Sequence, residues 1–446
     1  MIIFWNFVKR QVVQIIKGDS SIIANKLKKI YPHLIFFPLY VLAIPIVIFL
    51  RLISPLLLIR WQGMITSRIG HFAGNLELYL CEKESEINIP SQFYFDIFFI
   101  GDKSVCNQQL FHMWKRVLRI WPKLIMHPIM IVNKIIPGGN FHEITTSSHD
   151  RDVHNLYDKS LPHLFFTKEE EKIGASELLE LGIPKDEKFI CLTVRDSAYM
   201  PNLTYHAYRD GDIQKYILAA EELASRGYYV IRMGAKVNEA IKSQNPRIID
   251  YATNGSRSDF MDIFLGAKCT FCISTSTGFD AIPTIFRKPI VFITVPIGYL
   301  YTFSKRFLSI TKHHISTIDG HELTLDEIFN NNLAFALSSD EYKNNEVYLV
   351  DNSPEEIRDL VIEMDDRIKG YWIEADETKL HNFKKSFLSN LKKDQRKLHG
   401  NFDSLIGSKF LKSLDFILIV SIIQSWPERF AFSLHIKNAF RFLISG

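Results

Sequence analysis

Residues 189–197 (FICLTVRDS), 227–234 (GYYVIRMG) and 269–278 (CTFCISTSTG) decide how this chain folds. Each starts as a short run of β-branched, aromatic or other apolar residues. Each then breaks into Arg, Ser, Thr or Gly. A continuous apolar run of this length reads as a strand buried on both faces, and the polar break marks its end. Helical patterns lie between the runs. Residues 212–226 place Ile213, Tyr216, Ile217, Ala220 and Leu223 on one face, and Gly227 stops the pattern. Ser258 opens a helix through Leu265, and another follows the Ser/Thr stretch as far as Phe286. Residues 248–251 and 289–293 add two strands. This alternation predicts a parallel sheet covered by helices.

Outward from there, residues 59–66 and 93–101 (FYFDIFFIG) read as strands of a second, N-terminal sheet. Helical patterns begin near Phe72 and at Cys106. Residues 147–157 are polar; His149, Asp150, Asp152 and His154 have no metal-ligand spacing, and the segment reads as a solvated loop. A helix at 168–181, ended by Gly182-Ile183-Pro184, leads into the second domain. From Glu355 onward the pattern is helical and partly amphipathic, with apolar runs at 416–423 and 430–444.

The N-terminus differs in kind. Residues 1–33 carry two amphipathic patterns with Lys9, Arg10, Lys17, Lys26, Lys28 and Lys29. Residues 34–50 follow without a charge. As a helix they would span about 25 Å, short of a hydrocarbon core of about 30 Å. Pro38 and Pro45 are expected to kink or break that helix. A short, proline-broken, cation-flanked segment fits a monotopic or re-entrant anchor better than a cleaved signal peptide, and a single span is the alternative.

Composition narrows the class. The chain has 446 residues, enough for two or three domains, and 47% of them are hydrophobic, too few for a polytopic transporter. A net charge of +4 is too small for a nucleic-acid binder of this length. The five cysteines form no disulfide framework. Cys269 and Cys272 have half the spacing of a zinc site but lie in a strand and lack a second pair.

The chemistry-bearing residues sit where the strands end, as ligand-binding loops do in open α/β sheets. Ser274, Thr275, Ser276, Thr277 and Gly278 join a strand to a helix and read as an anion site built on a helix N-terminus. Arg195 and Arg232 follow neighbouring strands, placed to clamp a diphosphate or a sugar carboxylate; a surface ion pair, such as Arg195 with Asp196, is the other reading. Asp196, Tyr208, Arg209 and Gly234 complete the donor set; Asp210 reads as the cap of the helix at Asp212. In the first domain, Arg68 and Gly70 form a strand-to-helix turn on the acceptor side. His71 at that turn and Asp102 after the next strand are rival general bases. No Asp-x-Asp motif ends a strand of the second domain, so no metal or other cofactor is expected.

The series Arg68-Ile69-Gly70-His71, Arg195-Asp196-Ser197, Tyr208-Arg209-Asp210, residues 227–234 and residues 274–278 resembles a family of glycosyltransferases from bacterial surface-polysaccharide (capsule and O-antigen) gene clusters. The resemblance covers roughly residues 50–330. It implies a GT-B-like fold, two Rossmann-like α/β/α domains facing a cleft, and a nucleotide-sugar donor. The expected plan is a membrane-associating segment at 1–58, an acceptor-side domain at 59–170, a donor-side domain at 171–370 and a helical tail at 371–446. The expected activity is metal-independent transfer of a sugar to a surface-polysaccharide or lipid-linked acceptor, at the cytoplasmic face of the bacterial inner membrane, with no nucleic-acid partner. A pyruvyl or polyol-phosphate transferase on the same fold, and a non-catalytic scaffold of polysaccharide assembly, are the alternatives.

Overall fold

The computed structural model describes residues 37–412 apart from 200, 203, 375 and 376. The amphipathic patterns of residues 1–33 and the apolar runs at 416–423 and 430–444 lie outside the described residues. The chain forms α1 (Phe37–Ile53), β1 (Leu57–Met64), α2 (Ile69–Glu84), β2 (Phe93–Ile100), α3 (Gln108–Val117), α4 (Lys123–Ile135) and α5 (Lys168–Glu180). It continues through β3 (Phe189–Thr193), α6 (Ile217–Ser225), β4 (Tyr229–Met233), β5 (Ile248–Ile249), α7 (Asp259–Lys268), β6 (Cys272–Ser274), α8 (Ala281–Ile285), β7 (Ile290–Ile293) and β8 (Phe307–Ile310). Then follow β9 (His313–Ser316), α9 (Leu325–Asn330), α10 (Ser339–Asn344), β10 (Val347–Val350), α11 (Pro354–Lys369), α12 (Glu377–Asn390), α13 (Lys393–Arg396) and β11 (Leu405–Ile406).

The smaller of two compact units contains the described residues up to Thr66, with Ile89–Ser104 and Leu118–Thr145. Its sheet has two parallel strands, with Leu57 opposite Phe93 and Met64 opposite Ile100. Single parallel bridges, Trp61 to Glu143 and Phe98 to Ile120, flank the pair. A full second Rossmann sheet was expected here. It is not formed because the apolar residues after β2 recur at helical spacing. Met126, Ile129 and Val132 of α4 pack on Trp61, Ile97 and Phe99 instead of adding a strand. Arg60 and Asp96 face each other across the strands, buried, with Nε to Oδ1 at 2.8 Å and Nη2 to Oδ2 at 2.9 Å. A bidentate buried pair of this kind tolerates no slip of register. Neither Pro38 nor Pro45 breaks α1. Pro38 occupies the first turn, where an N–H has no helical acceptor anyway. Among the described residues, no helix is long and apolar enough to cross a membrane.

The larger unit contains Ser67–Asn88, Val105–Val117 and the chain from Thr146 onward. Helices α2 and α3, expected in the N-terminal domain, therefore group with the larger sheet. Seven parallel strands run in the order β11-β8-β7-β6-β3-β4-β5. Its core strands match the apolar runs read from sequence. Ile190, Leu192, Val230, Ile273 and Val291 belong to one hydrophobic cluster; Cys191, Ile231, Cys272 and Phe292 belong to a second. That is the period-two division of strands buried on both faces. Helix α5 starts at a Thr167/Glu170 capping box, and Ser258 caps α7.

Residues from 371 were expected to form a separate helical tail. The described part belongs to the core instead: Phe383 and Phe387 of α12 are buried with Phe402, and β11 pairs with β8 as the edge of the main sheet. Its aromatic residues need a partner surface, and the sheet supplies one.

Candidate functional site at the switch point of the large sheet

From β3 the chain winds one way through β4 and β5 and returns on the other side through β6, β7 and β8. The winding direction reverses between β3 and β6. At such a switch point the loops leaving adjacent strands diverge and leave a crevice beyond their C-terminal ends. The two loops here are residues 194–212 and 275–279, which hold most of the donor residues expected from sequence.

The second loop is built tightly. Ser276 adopts φ +58°, a left-handed conformation that costs a non-glycine residue energy and collects at functional sites. All four hydroxyls have internal partners. Ser274 Oγ donates to Asp280 Oδ2 (2.9 Å), and Ser276 Oγ donates to Thr294 Oγ1 (2.6 Å). Thr275 Oγ1 accepts from the Arg195 N–H (2.7 Å), and Thr277 Oγ1 lies 3.3 Å from Thr193 Oγ1. The expected long helix is only a 3-10 turn, Gly278–Asp280, followed by the five-residue α8. The hydroxyls therefore shape the loop, and the helix-dipole anion site expected from sequence is weaker than its letters suggest.

The first loop supplies the charge. Arg209 Nη2 donates to the Ser276 carbonyl at 2.6 Å, bringing the two loops together. Arg195 pairs with Asp210, Nε to Oδ1 at 3.2 Å, and not with Asp196. Burial and then the charge of Arg209 hold the Arg195 guanidinium below its usual pKa, and Asp210 only partly offsets them. Burial, Arg209 and Arg195 likewise push His206 down. Arg195 is paired with Asp210, whereas Arg209 Nη2 meets a neutral carbonyl, so guanidinium charge stands beside the Ser/Thr loop, a condition for anion binding. Asp210 is not the helix cap; Asp212 is, accepting from the Gln214 N–H at 2.8 Å. Lys312, at the end of β8, holds the Asp210 carbonyl (2.5 Å) and Asp351 (2.8 Å). It was not singled out from sequence, because β8 itself was not.

Several expected donor residues have other work. Asp196 accepts from the Ala198 and Asn238 N–H groups, which ties two loops together. Tyr208 is buried against Tyr342. Gly234 sits in the turn after β4, where a Cβ would lie 2.6 Å from Val237. Arg232 does not reach the crevice. The strand continues through Met233, so Arg232 is a strand residue, 1% exposed, with Nη1 3.2 Å from Asp250 Oδ1.

The turn at Arg68–His71 does reach the Ser/Thr loop. A Cβ on Gly70 would lie 3.2 Å from the Gly278 Cα, so any other residue would need the two backbones to move apart by a few tenths of an ångström. Arg68 is exposed at the N-cap of α2. His71 Nδ1 is 3.8 Å from Asp150 Oδ2, too long for a hydrogen bond, and has no other hydrogen-bond partner. Catalytic contacts of this kind often close only around substrate. Asp102 belongs to the smaller unit, where Lys123 Nζ donates to its carbonyl at 2.8 Å.

Residues 147–157 are not a solvated loop. Arg151, Asp152 and Asn155 are buried. Arg151 donates to the carbonyls of Leu398, Tyr299 and Leu300, and Asp152 Oδ2 accepts from the Tyr157 N–H (2.7 Å). Remote backbone carbonyls take up the Arg151 guanidinium, which lets this polar residue be buried.

Asp280 was also missed. Its sequence signal is faint: a carboxylate two residues beyond Gly278. Burial pushes it up to about 7; Ser274, Arg209 and the Thr277 N–H pull it down, and Asp150 pushes it up again. This value lies above the ordinary 3.8, so ionisation favours the unfolded chain. The stabilising contribution is complete below about pH 4 and is lost as pH rises through about 7, at most roughly 4 kcal/mol for a shift of this size. Asp280→Asn is expected to flatten the pH dependence of stability over that window, as read from urea midpoints at each pH.

Among the described residues, the grouping with metal-type donors within 4.8 Å of one another is Glu77, Cys81 and His163. Arg287 already sits in it, 2.6 Å from Glu77 Oε1, and burial pushes the Cys81 thiol up to about 12. A protonated thiol beside a guanidinium is a poor metal ligand.

No protein-family model and no curated protein matches the sequence. Among solved structures, the chain is similar to the ADP-heptose LPS heptosyltransferase II of E. coli, with 11% identity and a TM-score of 0.37, over 65% of this chain and 97% of that one. It is also similar to a family 9 glycosyl transferase of Veillonella parvula DSM 2008, with 10% identity and a TM-score of 0.40, over 70% of this chain and 96% of that one. The functional reading rests on the site.

Proposed function

We propose that the switch-point crevice binds the diphosphate of a nucleotide sugar and that the protein transfers the sugar to a surface-polysaccharide or lipid-linked acceptor. The carrying observation is the pair of guanidinium groups, Arg195 and Arg209, where the loops after β3 and β6 meet, close enough for Arg209 to hold Arg195 below its usual pKa. In the proposed step, the acceptor hydroxyl oxygen bonds to the anomeric carbon and the bond from that carbon to the diphosphate oxygen breaks. Its electron pair leaves with the nucleoside diphosphate, and Arg209 and Arg195 stabilise the charge that grows there. The acceptor proton passes to His71, and Asp150, 3.8 Å from Nδ1, orients the ring once that contact closes around substrate. Arginines meet the charge requirement without a divalent ion, which supports a metal-independent reaction. The buried thiols Cys81, Cys191, Cys269 and Cys272, none in a disulfide, suit the reducing cytoplasm, where the donor would be met.

Calorimetry with UDP, GDP, CMP and ADP tests this reading. One nucleotide is expected to bind at micromolar strength. Arg209→Ala is expected to weaken it by about 10- to 100-fold, the worth of a charge-assisted hydrogen bond. No binding to folded protein would remove the donor site and favour the scaffold. Binding without sugar transfer would favour a pyruvyl or polyol-phosphate transferase.

A further inference from the structure

One side of α1 packs inward through Ala43 and Val47, both buried in the core of the smaller unit. The other side carries Leu42, Ile44, Ile46, Ile48, Phe49 and Leu52, each between 43% and 74% exposed. A water-facing helix carries Lys, Glu or Gln on that side. The only charged residue of α1 is Arg51, and it is turned away from this face. Its Nε and Nη2 donate to Asn133 Oδ1 (3.1 and 2.8 Å), Nη2 to the Ile136 carbonyl (2.8 Å) and Nη1 to the Pro137 carbonyl (2.7 Å). The fold thus supplies hydrogen-bond acceptors to the one charged group of the helix and holds it off the apolar face. An uninterrupted apolar face of this extent marks a protein or membrane contact.

Two observations select a membrane. The chain joined to the first turn of α1, residues 1–36, holds Lys9, Arg10, Lys17, Lys26, Lys28 and Lys29 against a single acid, Asp19, which suits anionic headgroups. The 17 described residues of α1 reach about 25 Å, less than a hydrocarbon core of about 30 Å. One inward face is also already committed to protein. We infer that α1 lies in the plane of an anionic membrane, its outward face among the acyl chains. This placement is independent of the glycosyl-transfer reading.

The test is flotation of the full chain with phosphatidylcholine vesicles, with and without phosphatidylglycerol. Wild-type protein is expected to float with the anionic vesicles and to stay bound through a high-salt wash. L42E/I46E/F49E is expected to float at least tenfold less, with an unchanged urea unfolding midpoint as evidence that the rest of the chain is folded. The milder L42S/F49S, at exposed positions that tolerate serine, is expected to show an intermediate loss if the charged variant misfolds. Three results would overturn the inference. The variants float like wild type; or high salt strips wild type, leaving only headgroup attraction; or lipid-free wild type is a dimer that the variants split, making the face a protein interface.

Discussion

His71→Ala is expected to lower turnover by about 10²- to 10⁴-fold, the usual contribution of a general base, while donor affinity stays within a factor of about two. His71 lies at the turn that Gly70 presses against Gly278, beside the loop assigned to the donor but not part of its cationic set. Removing it should act on kcat and spare nucleotide binding. Asp150→Asn keeps the shape and removes the charge that faces Nδ1, and a smaller fall in kcat is expected. Asp102→Asn separates the rival assignment, because Asp102 sits in the other unit. Should Asp102→Asn abolish turnover and His71→Ala leave it intact, the base is Asp102. The measurement is sugar transfer at saturating donor, read alongside calorimetric Kd values.

Arg232→Ala is expected to cost about 3–5 kcal/mol of stability, with nucleotide affinity unchanged wherever the variant is folded. Arg232 is buried inside β4 and paired with Asp250, whose other oxygen accepts from the Ile241 N–H at 2.9 Å. Removing the guanidinium leaves a largely buried carboxylate with only backbone help. Denaturant unfolding would show the loss as a lower midpoint at constant slope. Arg209→Ala should do the reverse, weakening binding with little change in the midpoint. If Arg232→Ala weakened binding at full stability, the assignment of charge in this site would be wrong.

The contrast between these arginines marks how far the sequence carries. Both follow apolar runs, and both read as strand-end residues. Whether a strand stops before or after one arginine depends on the neighbour it pairs with, and no local pattern holds that information. The strands themselves were legible because burial on both faces leaves no alternation to confuse with a helix. Strand β8, four residues between Lys305-Arg306 and Thr311-Lys312, was hidden by its flanking charges. Residues 147–157 were misread for a related reason. Arg151 looks solvated until its acceptors appear, and those lie 148 to 247 residues further along the chain. The Gly70–Gly278 approach was half-legible: both glycines stood out, but not that each existed for the other.

The position of β11 has a consequence for how the protein is made. The main sheet is finished by Leu405 and Ile406, far along the chain from β8. The Arg151–Leu398 bond closes a still longer loop. Contacts of such sequence separation are slow to form and give no reward until the chain ends meet. While the ribosome is still adding residues 311–404, β8 is an open strand edge, the template that aggregating chains seek. Synthesis of this protein should therefore depend on chaperones that shield the nascent sheet. A chain released before residue 405 should accumulate as insoluble material even though every residue of the proposed site has already been made.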